Sequence, residues 1–233
     1  MKFKYILFDA DNTLLDFGAA ERQAFFVTAE EFGVAPTEEH LALYSGINDA
    51  LWKQIEKGEV TNAEMQRLRF TRFLEAAGAP GDGMKMNEAY VRNLSLGSQT
   101  LPGAFEAVEN AKREHTVAII TNGIPAVQRS RYAKSGLDVL FGENLFISGE
   151  LGADKPSVAY FDEVCVRLGI EDRSEALVVG DSLTSDILGG NRAGIPTCWL
   201  SFGKPIPEKA AAKPDYIIED VRGLAALLEE IEK

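Results

Sequence analysis

The sequence predicts an α/β fold, a parallel sheet flanked by helices with a helical unit inserted into it, and three observations lead there. Short apolar runs stand at residues 5–8, 117–120, 145–148, 176–180, 197–200 and 216–218, several of them apolar throughout. Strands buried on both faces read this way. Amphipathic helical patterns fall between most of these runs, as a parallel sheet requires of its crossovers. The alternation breaks once, where about 108 residues separate Phe8 from Val117, far more than one crossover helix needs.

Taken in order, "YILF" (5–8) is the first strand. Residues from about 17 to 92 then read as helices: "AERQAFFVTAEEFG", a stretch around "NDALWKQIEKG", and "TNAEMQRLRFTRFLEAAG". In the last, Thr61 and Glu64 form a capping box, Phe70, Phe73, Leu74 and Ala77 make an apolar stripe, and Gly78 and Pro80 end it. The economical division is a core made of 1–15 and 93–233 with a helical cap of 16–92 inserted after the first strand, on two linkers that invite a hinge. Pro102 opens a helix holding Phe105, Val108 and Ala111, before the strand "VAII". After "LFIS", a helix from Pro156 places Phe161, Val164, Cys165 and Leu168 on one face and stops at Gly169. "ALVVG", "TCWL" and "YII" complete the strands, and "PEKAAAKP" near residue 210 is a surface loop.

Composition narrows the function classes. A net charge of −12 and a pI near 4.7 argue against holding a nucleic-acid polymer, which needs a basic footprint. No apolar run approaches the roughly 20 residues of a membrane span, and no cleavage signal follows Lys2 and Lys4, so a soluble, cytoplasmic protein is expected. Cys165 and Cys198 lie far apart in apolar surroundings and read as reduced core thiols. Neither His40 nor His115 has a nucleophile motif beside it, which disfavours a Ser/His/Asp site.

In open α/β sheets ligands gather beyond the carboxyl ends of the strands. The first strand runs into Asp9 and Asp11, the second into Thr121, Asn122 and Gly123, the fourth into Gly180, Asp181 and Ser182 with Asp186 following; Asp154, Lys155 and Pro156 open a helix after the third. Taken singly, each cluster could be a helix cap, a turn or a solvated lysine. If they converge, Asp9, Asp11, Asp181 and Asp186 crowd four negative charges against the one positive charge of Lys155. Such a cleft cannot stand uncompensated. A Mg²⁺ on oxygen ligands together with one protonated aspartate would resolve it.

"FDADNTLLDF", "IITNG", "ADKPS" and "VVGDSLTSDILGGNRAG", in this order, resemble the four motifs of the haloacid-dehalogenase-like phosphohydrolases. The resemblance implies a Rossmann-like sheet with a helical cap. It makes Asp9 the nucleophile that forms an aspartyl-phosphate and Asp11 the acid and base. It gives Thr121, Lys155, Ala10 and the amide of Asn122 to phosphate binding alongside the two aspartates. Mg²⁺ would sit on Asp9, the carbonyl of Asp11 and Asp181, with Asp186 as a further ligand or a partner to one. Asp11 points to phosphate rather than carbon–halogen chemistry, and Gly180 departs from the acidic residue that sugar phosphomutases usually carry there. The stretches "NDALWKQIEKGEVTNAEMQRLRF", "VQRSRYAKSGL" and "DILGGNRAGIPTCWL" resemble the pyrimidine 5′-nucleotidase branch. A small-molecule phosphomonoester is therefore the expected partner, a nucleoside monophosphate first. The alternatives are a sugar-phosphate or phosphoglycolate-type phosphatase and, in another class, a non-catalytic phospholigand-binding protein. Phe17, Trp52 or Phe70 could stack on a base, though aromatics at helical spacing commonly serve packing; Arg22, Arg69 and Arg72 are candidates for a ribose or phosphate contact.

Overall fold

A computed structural model describes residues 2–231. The chain divides into two compact units, one running up to Asp16 and resuming at Ser98, the other Phe17–Gly97.

The first unit holds six parallel strands, β1 (Tyr5–Phe8), β2 (Thr116–Thr121), β3 (Leu145–Ile147), β4 (Ala176–Gly180), β5 (Thr197–Leu200) and β6 (Tyr216–Ile218), in the order β3-β2-β1-β4-β5-β6. The side chains alternate between faces, as a pleated strand requires. Ile6 and Phe8 of β1 join the core on one face with Val108, Tyr132, Phe141 and Leu224, while Leu7 joins the other with Tyr160, Phe161, Val164 and Cys165. Both faces are thus buried, which explains runs that are apolar throughout. Cys165 and Cys198 are buried free thiols.

The second unit holds four helices, α1 (Phe17–Glu31), α2 (Glu38–Glu56), α3 (Asn62–Ala76) and α4 (Gly83–Leu94). Their starts are set by side-chain caps. The Thr37 hydroxyl accepts from the His40 amide, Thr61 and Glu64 complete the capping box, and Asp82 accepts from the amides of Met84 and Lys85. The interior is aromatic. Tyr44 lies stacked between Phe25 and Phe70, with ring centroids 5.2 and 4.6 Å away, and Phe73 and Tyr90 close the cluster.

The crossovers of the first unit are α5 (Ala104–Lys112), α6 (Pro125–Ser135), α7 (Asp138–Phe141), α8 (Ser148–Leu151), α9 (Val158–Leu168) and α10 (Leu188–Ala193), with α11 (Leu224–Ile231) at the end. On α5 the buried stripe is Ala104, Ala107, Val108 and Ala111, and Phe105 is 40% exposed. The expectation that Phe105 packs with Val108 and Ala111 is corrected: one residue on from Ala104, it sits about 100° around the helix from the buried stripe. No described helix is long and apolar enough to cross a membrane.

Because β1 enters first and the chain returns to its other side with β4, strand order reverses at β1. The carboxyl ends of strands at such a point leave a crevice. Register aligns Phe8 with both Ile119 and Val179, so Asp9, Thr121 and Asp181 leave the sheet within two residues of the same level.

Candidate active site

The loop that follows β1 is a turn and not a helix cap. The Asp9 amide still donates to the Val179 carbonyl, Asn12 takes the left-handed conformation at φ 59°, and the amides of Leu14 and Leu15 close back on the Ala10 carbonyl. Asparagine is among the few side chains that accept that conformation cheaply. Helix α1 begins only at Phe17.

Lys155 is 2% exposed, and its ammonium is fully used: Nζ donates to Asp9 Oδ1 at 2.6 Å, Asp186 Oδ1 at 2.7 Å and the Ile120 carbonyl at 2.8 Å. Burial alone would depress its pKa, but the charges of Asp186 and Asp9 outweigh that and hold it raised. The backbone of Lys155 is braced in turn. Its amide donates to Asn122 Oδ1 and its carbonyl accepts from Asn122 Nδ2, each at 2.9 Å. The Asn122 side chain therefore locks the lysine in place, a role that the motif alone does not display.

Ser182 opens the turn after β4, accepting from the Ser185 amide, and a π-helical turn over Leu183–Ile187 brings Asp186 back over the strand end. Asp186 Oδ2 accepts from the Ser182 amide at 3.0 Å. A Cβ at Gly180 would overlap the Asp186 carboxylate, so the residue before Asp181 is glycine for want of space. Gly180→Ala is expected to displace Asp186 and destabilise the protein by about 1–3 kcal/mol, read by thermal denaturation; a neutral outcome would show that the π-helical turn yields freely. Trp199 of β5 donates from Nε1 to the Asp181 carbonyl at 2.8 Å, tying the next strand to this loop.

Asp9, Asp181 and Asp186 each offer an oxygen within 4.8 Å of the others. Burial raises Asp9 to about 7, against the pull of Lys155 and with further push from Asp186. Burial, then Asp9 and Asp186, raise Asp181 well above the usual carboxylate range. Three crowded carboxylates that resist joint ionisation suit a hard divalent cation, which takes oxygen ligands and supplies the missing positive charge.

Asp11 is held from a direction that spacing did not announce. Arg131, 1% exposed, donates from Nη1 to Asp11 Oδ1 at 2.5 Å, and Gln128 donates from Nε2 to Asp11 Oδ2 at 2.8 Å and to Thr121 Oγ1 at 2.7 Å. The charge balance expected from sequence is thereby corrected. Two buried cations, Lys155 and Arg131, face four carboxylates and leave −2 when all four are ionised, the charge that one divalent ion cancels. A signal for this pair does exist in the sequence: Gln128 and Arg131 interrupt the stripe that buries Val127 and Tyr132 on α6, the helix that follows "TNG".

The aromatic candidates lie in the helical unit. Phe70 is fully buried against Tyr44, Tyr90 and Phe73, and offers no free face to a base. Trp52 is half-buried and packs beside Leu51, Ile55 and Met65; Phe17, half-buried, is the first residue of α1. Arg69 is buried, with Nε donating to Asn87 Oδ1 at 2.7 Å and its guanidinium 4.7 Å from the Tyr90 ring centroid. Arg22 pairs with Glu38, and Arg72 is exposed.

A family model described as haloacid dehalogenase-like hydrolase matches residues 3–194. The chain is 35% identical over 231 residues to pyrimidine 5′-nucleotidase PynA of Streptococcus pneumoniae, covering 99% of this chain and 97% of that one. It is 36% identical over 231 residues to pyrimidine 5′-nucleotidase YjjG of Escherichia coli, covering 98% and 99%. Among solved structures, the HAD-hydrolase YfnB of Bacillus subtilis bound to magnesium superposes with a TM-score of 0.91 at 35% identity, over 98% of this chain and 99% of that one.

Proposed function

This chain belongs to the haloacid dehalogenase-like hydrolase family, and on that premise we propose that it is a Mg²⁺-dependent phosphomonoesterase of the cytoplasm, acting through an aspartyl-phosphate on nucleoside 5′-monophosphates, pyrimidine ones first. The observation that carries the chemistry is the pairing, in one crevice, of a buried Asp9 on the Lys155 ammonium with a separately held Asp11. One aspartate is placed to attack and a second to move a proton. The full-length likeness to two pyrimidine 5′-nucleotidases supports the substrate class.

In the first half-reaction an Asp9 oxygen bonds to phosphorus, and the phosphorus–ester oxygen bond breaks. Its electron pair stays on the ester oxygen, which takes the proton of Asp11. In the second, a water oxygen bonds to phosphorus and gives its proton to Asp11, while the bond to Asp9 breaks, freeing inorganic phosphate and restoring the carboxylate. Thr121, with the amides of Ala10 and Asn122, holds phosphoryl oxygens, and Lys155 lowers the repulsion between nucleophile and phosphate. Mg²⁺, when bound by Asp9, the Asp11 carbonyl and Asp181, with Asp186 beside them, supplies the charge that lets two anions meet; the magnesium of the YfnB structure supports that choice. The helical unit, Phe17–Gly97, serves as the cap that selects the substrate.

Phosphate release from dUMP, UMP, dTMP, AMP, phosphoglycolate and hexose phosphates tests the reading. Pyrimidine nucleotides are expected to lead, with activity lost in EDTA and restored by Mg²⁺. A flat profile or a sugar-phosphate optimum removes the nucleotidase assignment, and activity that survives thorough chelation removes the metal.

A further inference from the structure

Two polar side chains one turn apart on α6 reach the same carboxylate, and the reaction scheme above leaves them without a task. Gln128 and Arg131 are 4% and 1% exposed. Polar groups so deeply buried are costly unless every bond they make is used. Arg131 Nη1 donates to Asp11 Oδ1 and also to Gln128 Oε1 at 3.3 Å. That contact fixes which way the Gln128 amide faces: its oxygen meets the guanidinium, and its NH₂ is left for Asp11 Oδ2 and Thr121 Oγ1. An NH₂ carries two hydrogens, so both bonds stand together. Gly123 completes the fit, since a Cβ there would lie 2.9 Å from Gln128 Cγ.

The consequence is geometric. The Asp11 side chain is 25% exposed and, alone on its turn, would rotate; here both of its oxygens are tied to a helix. Thr121 Oγ1 accepts from Gln128 at 2.7 Å, and its own hydrogen goes to the Asn122 carbonyl at 3.4 Å, a contact long enough to yield to a phosphoryl oxygen. We propose that Gln128 and Arg131 are positioning residues that hold the Asp11 carboxylate in register with the Thr121 hydroxyl, so that the proton reaches the ester oxygen of the same phosphoryl group that Thr121 grips. This rests on the phosphomonoesterase reading and adds to it two residues outside the four motifs.

Leaving-group dependence separates positioning from mere support. A nucleoside alkoxide cannot depart without a proton, whereas p-nitrophenolate leaves as a stable anion. Release of the leaving group in the first turnover, measured with Mg²⁺ on the full-length protein, isolates the step that needs Asp11 as acid. Gln128→Leu and Arg131→Met are expected to slow release from UMP by about 10²-fold or more, the usual worth of a placed acid, and from p-nitrophenyl phosphate by less than about 10-fold. Arg131→Lys is expected to recover part of the loss on UMP alone. Thermal denaturation checks that each variant is folded; if Arg131→Met is not, Gln128→Leu decides. Equal losses on both substrates, or none on either, overturn the positioning role while leaving the phosphatase reading intact. A folded, Mg²⁺-supplied wild type that releases neither leaving group overturns both.

Discussion

Asp9→Asn is expected to abolish turnover, by about 10⁴-fold or more as for other nucleophile deletions, while the protein stays folded and melts at the same or a higher temperature. The substitution keeps the shape of the side chain, and its Oδ1 still accepts from Lys155 Nζ, so packing is spared. Only the anionic nucleophile is lost. Stability moves the other way because burial lifts Asp9 from 3.8 to about 7. A folded-state pKa above the unfolded one stabilises the fold fully below the unfolded value, and that contribution is lost as pH rises through the folded value. Metal-free wild type should therefore lose melting temperature between about pH 4 and pH 7, and Asp9→Asn should remove part of that slope; Asp181, raised for the same reasons, supplies the rest. Turnover and a melting series against pH test both halves. Substantial residual activity contradicts the covalent route, and an unaltered slope contradicts the electrostatic account of the crevice.

The electrostatics of that crevice also mark what the sequence could and could not reveal. Fold class was legible because its signals are local. "YILF" and "ALVVG" are apolar at every position, and both strands are buried on two faces. The family resemblance was legible because its motifs sit at strand ends, in chain order. Arg131 was not, because a polar residue on a helix looks solvated until its partner is known, and Asp11 lies 120 positions away. Missing one buried cation, the charge count from sequence alone came out one unit too negative. Phe70 shows the same limit for apolar groups: helical spacing cannot tell a ring that packs from one that presents a face, and three aromatic neighbours across α2, α3 and α4 decided it. The Asn122 side chain was hidden too, since its amide serves the backbone of a residue 33 positions on.

Lys155→Met is the harsher substitution. Methionine matches the lysine stem in length and apolar bulk, so no large cavity opens, but three hydrogen bonds and the one cation shared by Asp9 and Asp186 disappear together. Removing one partner of a buried ionic cluster leaves the others uncompensated, a cost of about 3–5 kcal/mol, or about 10 °C in a chain of this size. The raised lysine pKa means that its contribution is complete below about 10.5 and fades only as pH climbs past that value toward the folded one. At pH 7 the variant therefore lacks all of it. Acidification should narrow the gap, because protonating Asp9 below about 7 removes one of the charges that the lysine offset. Mg²⁺ should narrow it as well, by binding the folded carboxylates and not the unfolded chain, yet without restoring turnover, since the ammonium that faces both nucleophile and phosphate is still absent. Melting curves at pH 5 and 7, with and without Mg²⁺, separate these effects. A variant that melts within about 2 °C of wild type at pH 7, or whose deficit ignores both acid and metal, would mean that the carboxylates relax apart when the lysine goes, and that the crevice is not held as a charged unit.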